Sequence, residues 1–133
     1  MLIVLAVLVS IALPNYAAFV EKGVVAEALV MIDQIANAEI VYHLQTGDYA
    51  NQFSSGPPLN VTANWNIGYS EDSYWCYLAR VDAPNTCNIY ATRVNKGNPL
   101  PQFVDKRIVL NIDGDQNKTW NEGVSNHPFT PKN

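Results

Sequence analysis

The sequence predicts an α+β chain in which one long N-terminal α-helix, with a projecting apolar half and a proline kink, packs through its second half on a C-terminal antiparallel β-sheet of three to four strands. Three observations carry that expectation. The first charged side chains are Glu21 and Lys22, so the chain opens on a long charge-free stretch. Apolar residues then recur at three- and four-residue intervals as far as Ile40, the period of a helix with one buried side. After residue 73, short β-rich runs alternate with Pro, Gly, Asp and Asn punctuation.

The opening run, Met1 to Leu13, carries no charge and a single hydroxyl, Ser10. Continued as a helix to Val20, it is roughly 30 Å long, the thickness of a bilayer core. A cleaved secretory signal would place basic residues ahead of such a run and a small-residue site after it. Nothing basic precedes this run, and the helical pattern continues straight through Tyr16-Ala17-Ala18-Phe19. An ordinary core helix would be shorter. The remaining reading is a helix that first anchors in a membrane and later packs against copies of itself. Within it, Pro14 lacks the N–H that would reach Ser10, and its ring crowds that carbonyl at a cost of about 3 kcal/mol. Pro14 and Gly23 are therefore the expected break points.

The second half is amphipathic. Val25, Ala28, Leu29, Ile32, Ile35, Ala36 and Ile40 form the stripe, and Glu27, Asp33, Gln34, Asn37 and Glu39 are assigned to the other faces. Thr46-Gly47-Asp48 is the stop, with Gly47 expected in the left-handed conformation that closes a helix. At the standard rise residues 1–45 reach about 65 to 70 Å, too far for the remaining chain to cover, so half the helix must project.

Residues 47–72 read as a long irregular connection with one short strand near Leu59 to Thr62. Tyr74 to Val81 and Cys87 to Val94 flank Asp82-Ala83-Pro84-Asn85-Thr86 as a hairpin. Arg107 to Asp113 is a third strand, ended by Asp113-Gly114, and Lys118 to Asn121 a short fourth. The organisation is then an apolar half-helix, 1–23, and a head, 24–133. The head divides into helix (24–46), connection (47–72), sheet (73–122) and a polar C-terminal loop (123–133).

Composition narrows the functional classes. With 133 residues, 48% hydrophobic and 15% charged, the chain has ample surface to bury in one domain. A net charge of -4, from 8 basic and 12 acidic residues without a basic cluster, argues against a nucleic-acid partner. Cys76, Cys87, His43 and His127 do not follow zinc-site spacing. No nucleophile signature accompanies His43 or His127, so no enzyme is expected. His43 belongs near the helix exit, where a partly positive ring suits the dipole. For a head carried across a membrane, an oxidising compartment would pair Cys76 with Cys87, a bridge worth roughly 2 to 3 kcal/mol. The alternative is two separate buried thiols.

The run from Met1 to His43 resembles the N-terminal helix of type IV pilins. It has the apolar segment, then Pro14-Asn15-Tyr16, an aromatic at Phe19, the mixed-charge turn Glu21-Lys22, and an Ala-rich amphipathic half. Thr46-Gly47-Asp48-Tyr49 is similar to the family's helix exit. The apolar run starts here at Met1, without the glycine and glutamate-bearing segment that precede it in the family. The resemblance implies a structural subunit of a pilus filament, a homopolymer whose core is a bundle of these helices. Met1, Leu2, Val4, Leu5, Leu8, Ile11, Leu13, Pro14, Tyr16 and Phe19 would line that core, and Pro14 to Gly23 is where helical hydrogen bonds would be lost on assembly. It further implies an inner-membrane stage, a prepilin peptidase, an assembly machine, and a final place at the cell surface in attachment, motility or DNA uptake.

Asn111, Asp113, Asp115 and Asn117 alternate around Gly114 like the start of a calcium loop, and Glu122 is the twelfth residue counted from Asn111. Gln116 stands where that loop needs glycine, so calcium at Asp113 and Asp115 is at most a shallow site and no other cofactor is expected. Such a site would favour a type II secretion pseudopilin, a relative in fold. Trp65, Tyr69, Tyr74, Trp75 and Tyr77 form the richest aromatic cluster, read as core and interface packing. A membrane-anchored sugar-binding domain using Trp75 or Trp65 is the alternative. Ser54, Ser55 and the sequons at Asn60 and Asn117 are candidate glycosylation positions.

Overall fold

The computed structural model describes residues 2–50, 73–97, 99–121, 123 and 126–133. Helix α1 spans Leu2–Thr46, 45 residues, or about 67 Å at the standard rise. It ends where the sequence places the stop. Gly47 adopts φ +84° and its N–H donates to the His43 carbonyl at 2.8 Å, while Thr46 Oγ1 donates to the Tyr42 carbonyl at 2.9 Å.

The expected breaks at Pro14 and Gly23 are absent, since α1 is continuous through both. Pro14 forfeits one backbone hydrogen bond, and Ala12 and Leu13 before it and Ala17 and Ala18 a turn after it favour the helix. A side chain at Gly23 would meet nothing within 4 Å, so this glycine costs only its conformational entropy, about 1 kcal/mol relative to Ala.

Four strands follow as an antiparallel meander in the order β1-β2-β3-β4: β1 Trp75–Ala83, β2 Thr86–Arg93, β3 Arg107–Ile112 and β4 Lys118–Trp120. The fold is thus α+β, a long helix on a four-stranded sheet. Trp75, Tyr77 and Ala79 of β1, Cys87, Ile89 and Ala91 of β2, and Ile108, Leu110 and Ile112 of β3 face inward. They close on Val25, Ala28, Ile32, Ile35 and Ala36 of α1 in one core. The β1–β2 turn is tight: Asn85 takes φ 59°, and a Cβ on Gly114 would lie 3.0 Å from the Asn85 Cβ, so a side chain there would press the two turns apart by a few tenths of an ångström.

The Cys76–Cys87 bridge is not formed. Val81 is the residue opposite Cys87, while Cys76 lies opposite Thr92, five positions further along β1. That offset is about 17 Å at the strand rise, against a disulfide Cα separation of at most about 7 Å. The two thiols also face opposite sides of the sheet, Cys87 into the core and Cys76 outward. Burial pushes both thiols above the ordinary range. Alkylation of the unfolded, unreduced chain should therefore add two labels, read by intact mass. A chain that takes none until reduced would contradict the strand register.

Two further expectations change. Glu39, assigned to a solvent face, is fully buried. The C-terminal segment is not simply a polar loop: Asn126 bridges in parallel to Arg107, and His127 lies beneath the surface. The short strand at 59–62, together with Ser54, Ser55, Asn60, Trp65, Tyr69 and Glu122, lies outside the described residues.

Candidate functional site

The first candidate surface is the uncovered half of α1. Val4, Leu5, Leu8, Ile11, Leu13, Pro14, Tyr16 and Phe19 are all exposed, and so are Ile3, Val7 and Val9 on the intervening faces. Exposure reaches 81% at Ile3 and 75% at Phe19, close to that of an isolated helix. Met1 lies outside the described residues, and Leu2 opens the helix. The stretch is long and apolar enough to cross a bilayer. Together its side chains present on the order of 1,000 Å² of apolar surface, well beyond the few hundred that a monomer normally leaves open.

Where this half ends, the head grips the helix through charge. Glu21, the first acid of the sequence, is buried at 3% exposure. Arg93, the last residue of β2, meets it with both arms: Nε donates to Oε1 at 2.9 Å and Nη2 to Oε2 at 3.3 Å. The third guanidinium nitrogen, Nη1, donates to the carbonyls of Tyr74, Val94 and Lys96 at 3.2, 2.8 and 3.1 Å. The cation also lies over the Tyr74 and Trp75 rings, 5.2 and 5.9 Å from their centroids. His127 completes the cluster, with Nε2 3.0 Å from Glu21 Oε1. Burial holds this imidazole below its usual range even though Glu21 pulls the other way. A buried charge so fully partnered anchors α1 to β2, and the C-terminal segment closes over it through His127.

Glu39, 18 residues along the helix, occupies the other end of the seat. Its Oε2 accepts the Ala50 N–H at 2.9 Å, while its Oε1 finds no partner among the described residues. Burial raises its pKa to about 7, only partly offset by that hydrogen bond. His43, one turn on, stacks on Tyr49 at 4.3 Å near the helix exit, and the Tyr49 hydroxyl donates to the Asp113 carbonyl at 2.7 Å.

Asp113 and Asp115 stand in the β3–β4 turn. Asp113 Oδ1 accepts the N–H groups of Asp115 and Asn117, each at 2.9 Å, and Oδ2 accepts the Asn117 amide at 3.1 Å. These bonds hold the Asp113 carboxyl below the usual range, the Asn117 side chain first among them. A cation here would have to compete with all three. Among the described residues no three His, Cys, Asp or Glu side chains converge as metal ligands.

Trp75 is not available as a sugar platform. It is buried, and its indole N–H donates to the Val24 carbonyl at 2.8 Å, so it pins the sheet to the helix. Tyr74 and Cys76 lie half-buried on the other side of the strand.

Sequence reasoning missed the roles of Glu21, Arg93, His127 and Glu39 in seating the helix. Comparison with family models, with curated proteins and with solved structures found no match in any of the three.

Proposed function

We propose that the chain is a structural subunit of a pilus-like filament. The apolar stretch up to Val20 holds it in the inner membrane before assembly and then packs against the same segment of neighbouring copies at the cell surface, while Glu21 and Lys22 stay with the head. The observation that supports this reading most directly is the uncovered apolar half of α1, continuous with the half that packs on the sheet. Such a helix must bury its surface in lipid or in other helices, and about 800 Å² buried is worth roughly 20 kcal/mol before ordering costs. Its length suits a bilayer, and its all-round apolarity suits the centre of a bundle with neighbours on every side. A repeated contact that does not close on itself propagates as a helical polymer. In this reading the partners are further copies, the membrane, a prepilin peptidase and an assembly machine; the chain itself carries out no catalysis.

Electron microscopy of filaments sheared from the producing cell, with mass spectrometry of their subunit, tests the proposal. Thin filaments built mainly of this chain are expected. Deleting residues 1–16 should abolish them and yield a soluble monomer by light scattering, because the helix contacts from Glu21 onward are retained. A truncated chain that still polymerised, or a full chain confined to the membrane and missing from filaments, would sink the reading.

A further inference from the structure

The C-terminal segment meets α1 at Glu21 through one side chain, His127, and the protonation state of that ring is fixed by its surroundings. The backbone N–H of Phe129 points at Nδ1, 3.3 Å away. An N–H can only donate, so Nδ1 must present its lone pair, and the ring proton lies on Nε2, where it is donated to Glu21 Oε1. Phe103 stacks on the imidazole at 5.1 Å, and Trp75 and Phe129 close its edges at 5.6 Å each. The backbone around the ring is equally committed. His127 N–H donates to the Arg107 carbonyl at 2.6 Å, and Thr130 returns its N–H and its hydroxyl to the His127 carbonyl at 2.9 and 2.7 Å.

Among the described residues, the charged groups facing the ring come from three places. From α1 come Glu21 and Lys22, the latter 5.4 Å above the Phe129 ring. Arg93 comes from the end of β2, and Lys106 from the connection before β3. One anion therefore favours a second proton on the ring, while burial and the Arg93 and Lys106 cations oppose it.

We propose that segment 126–130 is an acid-released latch, closed on α1 only while Nδ1 of His127 is bare, and opened when a proton there sets two N–H donors against each other. Opening withdraws Phe129 from Lys22 and uncovers the Glu21–Arg93 pair. It removes the His127 contact to Glu21 and the edge packing of Phe129, but leaves the two Arg93–Glu21 hydrogen bonds and the buried residues that α1 and the sheet share. The sign follows from proton counting. The closed latch holds a neutral histidine and the open one a histidine free to protonate near pH 6.5, so opening takes up a proton. The opening constant then rises by at most about tenfold per pH unit below about 6.5, and the rise ends where the latched ring itself protonates. The device works the same way in a single subunit as in a polymer, so its test is independent of the filament reading.

Amide exchange followed by NMR on the full chain in detergent micelles, expressed as protection factors between about pH 7.5 and 4.5, reads the latch directly. Protection at the amides of residues 127 and 130 should fall by up to about tenfold per unit below pH 6.5. The β3 amides of Ile108 and Leu110 should hold. His127→Phe keeps an aromatic ring in the slot but cannot titrate, and its residue 130 amide should lose this pH dependence. Equal falls in wild type and His127→Phe, or β3 protection lost in step with the segment, would overturn the proposal. Should His127→Phe fail to fold, the ring titration of the wild type decides. Ring protonation coinciding with loss of protection at residues 127 and 130 supports the latch. A ring that takes its proton while those amides stay protected overturns it.

Discussion

Arg93→Met should cost the head about 3 to 5 kcal/mol, the usual result of removing one partner from a buried ion pair. Among the described residues Glu21 would keep only His127, and the carbonyls of Tyr74, Val94 and Lys96 would lose a shared donor. For a chain of this length that corresponds to a fall in melting temperature of roughly 10 to 20 °C, read by circular dichroism in micelles. Methionine fills much of the arginine volume, so the loss reports the stranded charge more than a cavity. The double variant Glu21→Gln with Arg93→Met should recover part of it, since neither member then leaves the other ionised and unpaired. A single-variant loss below about 1 kcal/mol would mean that the pair behaves as a solvent-screened surface bridge.

Glu39→Gln should act in the opposite direction, by an amount that grows as pH rises from about 4.5 to 7. In the fold the Glu39 carboxyl titrates at about 7, against an unperturbed 4.5. The folded state therefore holds the extra proton between those values, and stability falls as pH rises from 4.5 through 7. Above pH 7 the penalty is complete, on the order of 3 kcal/mol. Glutamine carries no charge and can still accept the Ala50 N–H, so the variant should match wild type near pH 4.5 and exceed it by up to that amount above pH 7. Urea midpoints at the two ends of the range check this. Parallel stability curves for variant and wild type would mean that Glu39 ionises as though in water.

The fold was legible because its signals are local. The charge-free run, the stripe from Val25 to Ile40, the glycine stop and the hairpin each lie within a few residues of the structure they direct. What escaped was tertiary pairing. Glu21 and Glu39 share the helical phase of Val25, Ala28, Ile32 and Ile35, yet their polarity suggests the opposite face, and only burial beneath the sheet reveals the phase as decisive. Arg93 shares the inward parity of Cys87, Ile89 and Ala91 and was equally readable in principle. The need to meet a helix acid 72 residues earlier was not. His127 gave no local sign, since its role depends on a parallel bridge to β3. The cysteines teach the reverse lesson: a turn at residues 82–86 already places Val81 opposite Cys87, and the compartment argument overrode that register.

The unbridged cysteines have a mechanical consequence. In the proposed filament, a head with no covalent cross-link could unravel to its full contour length when pulled between neighbouring copies. The 87 residues from Gly47 to Asn133 would pay out about 300 Å at roughly 3.5 Å each. The same head stapled between β1 and β2 would keep a closed loop and extend less. Before any of that extension begins, load arriving along the helix falls on the Glu21–Arg93 pair at the rim of the head, which acts as a rivet. Strength in such a strand would come from that contact and from the core behind it, and extensibility from the missing staple.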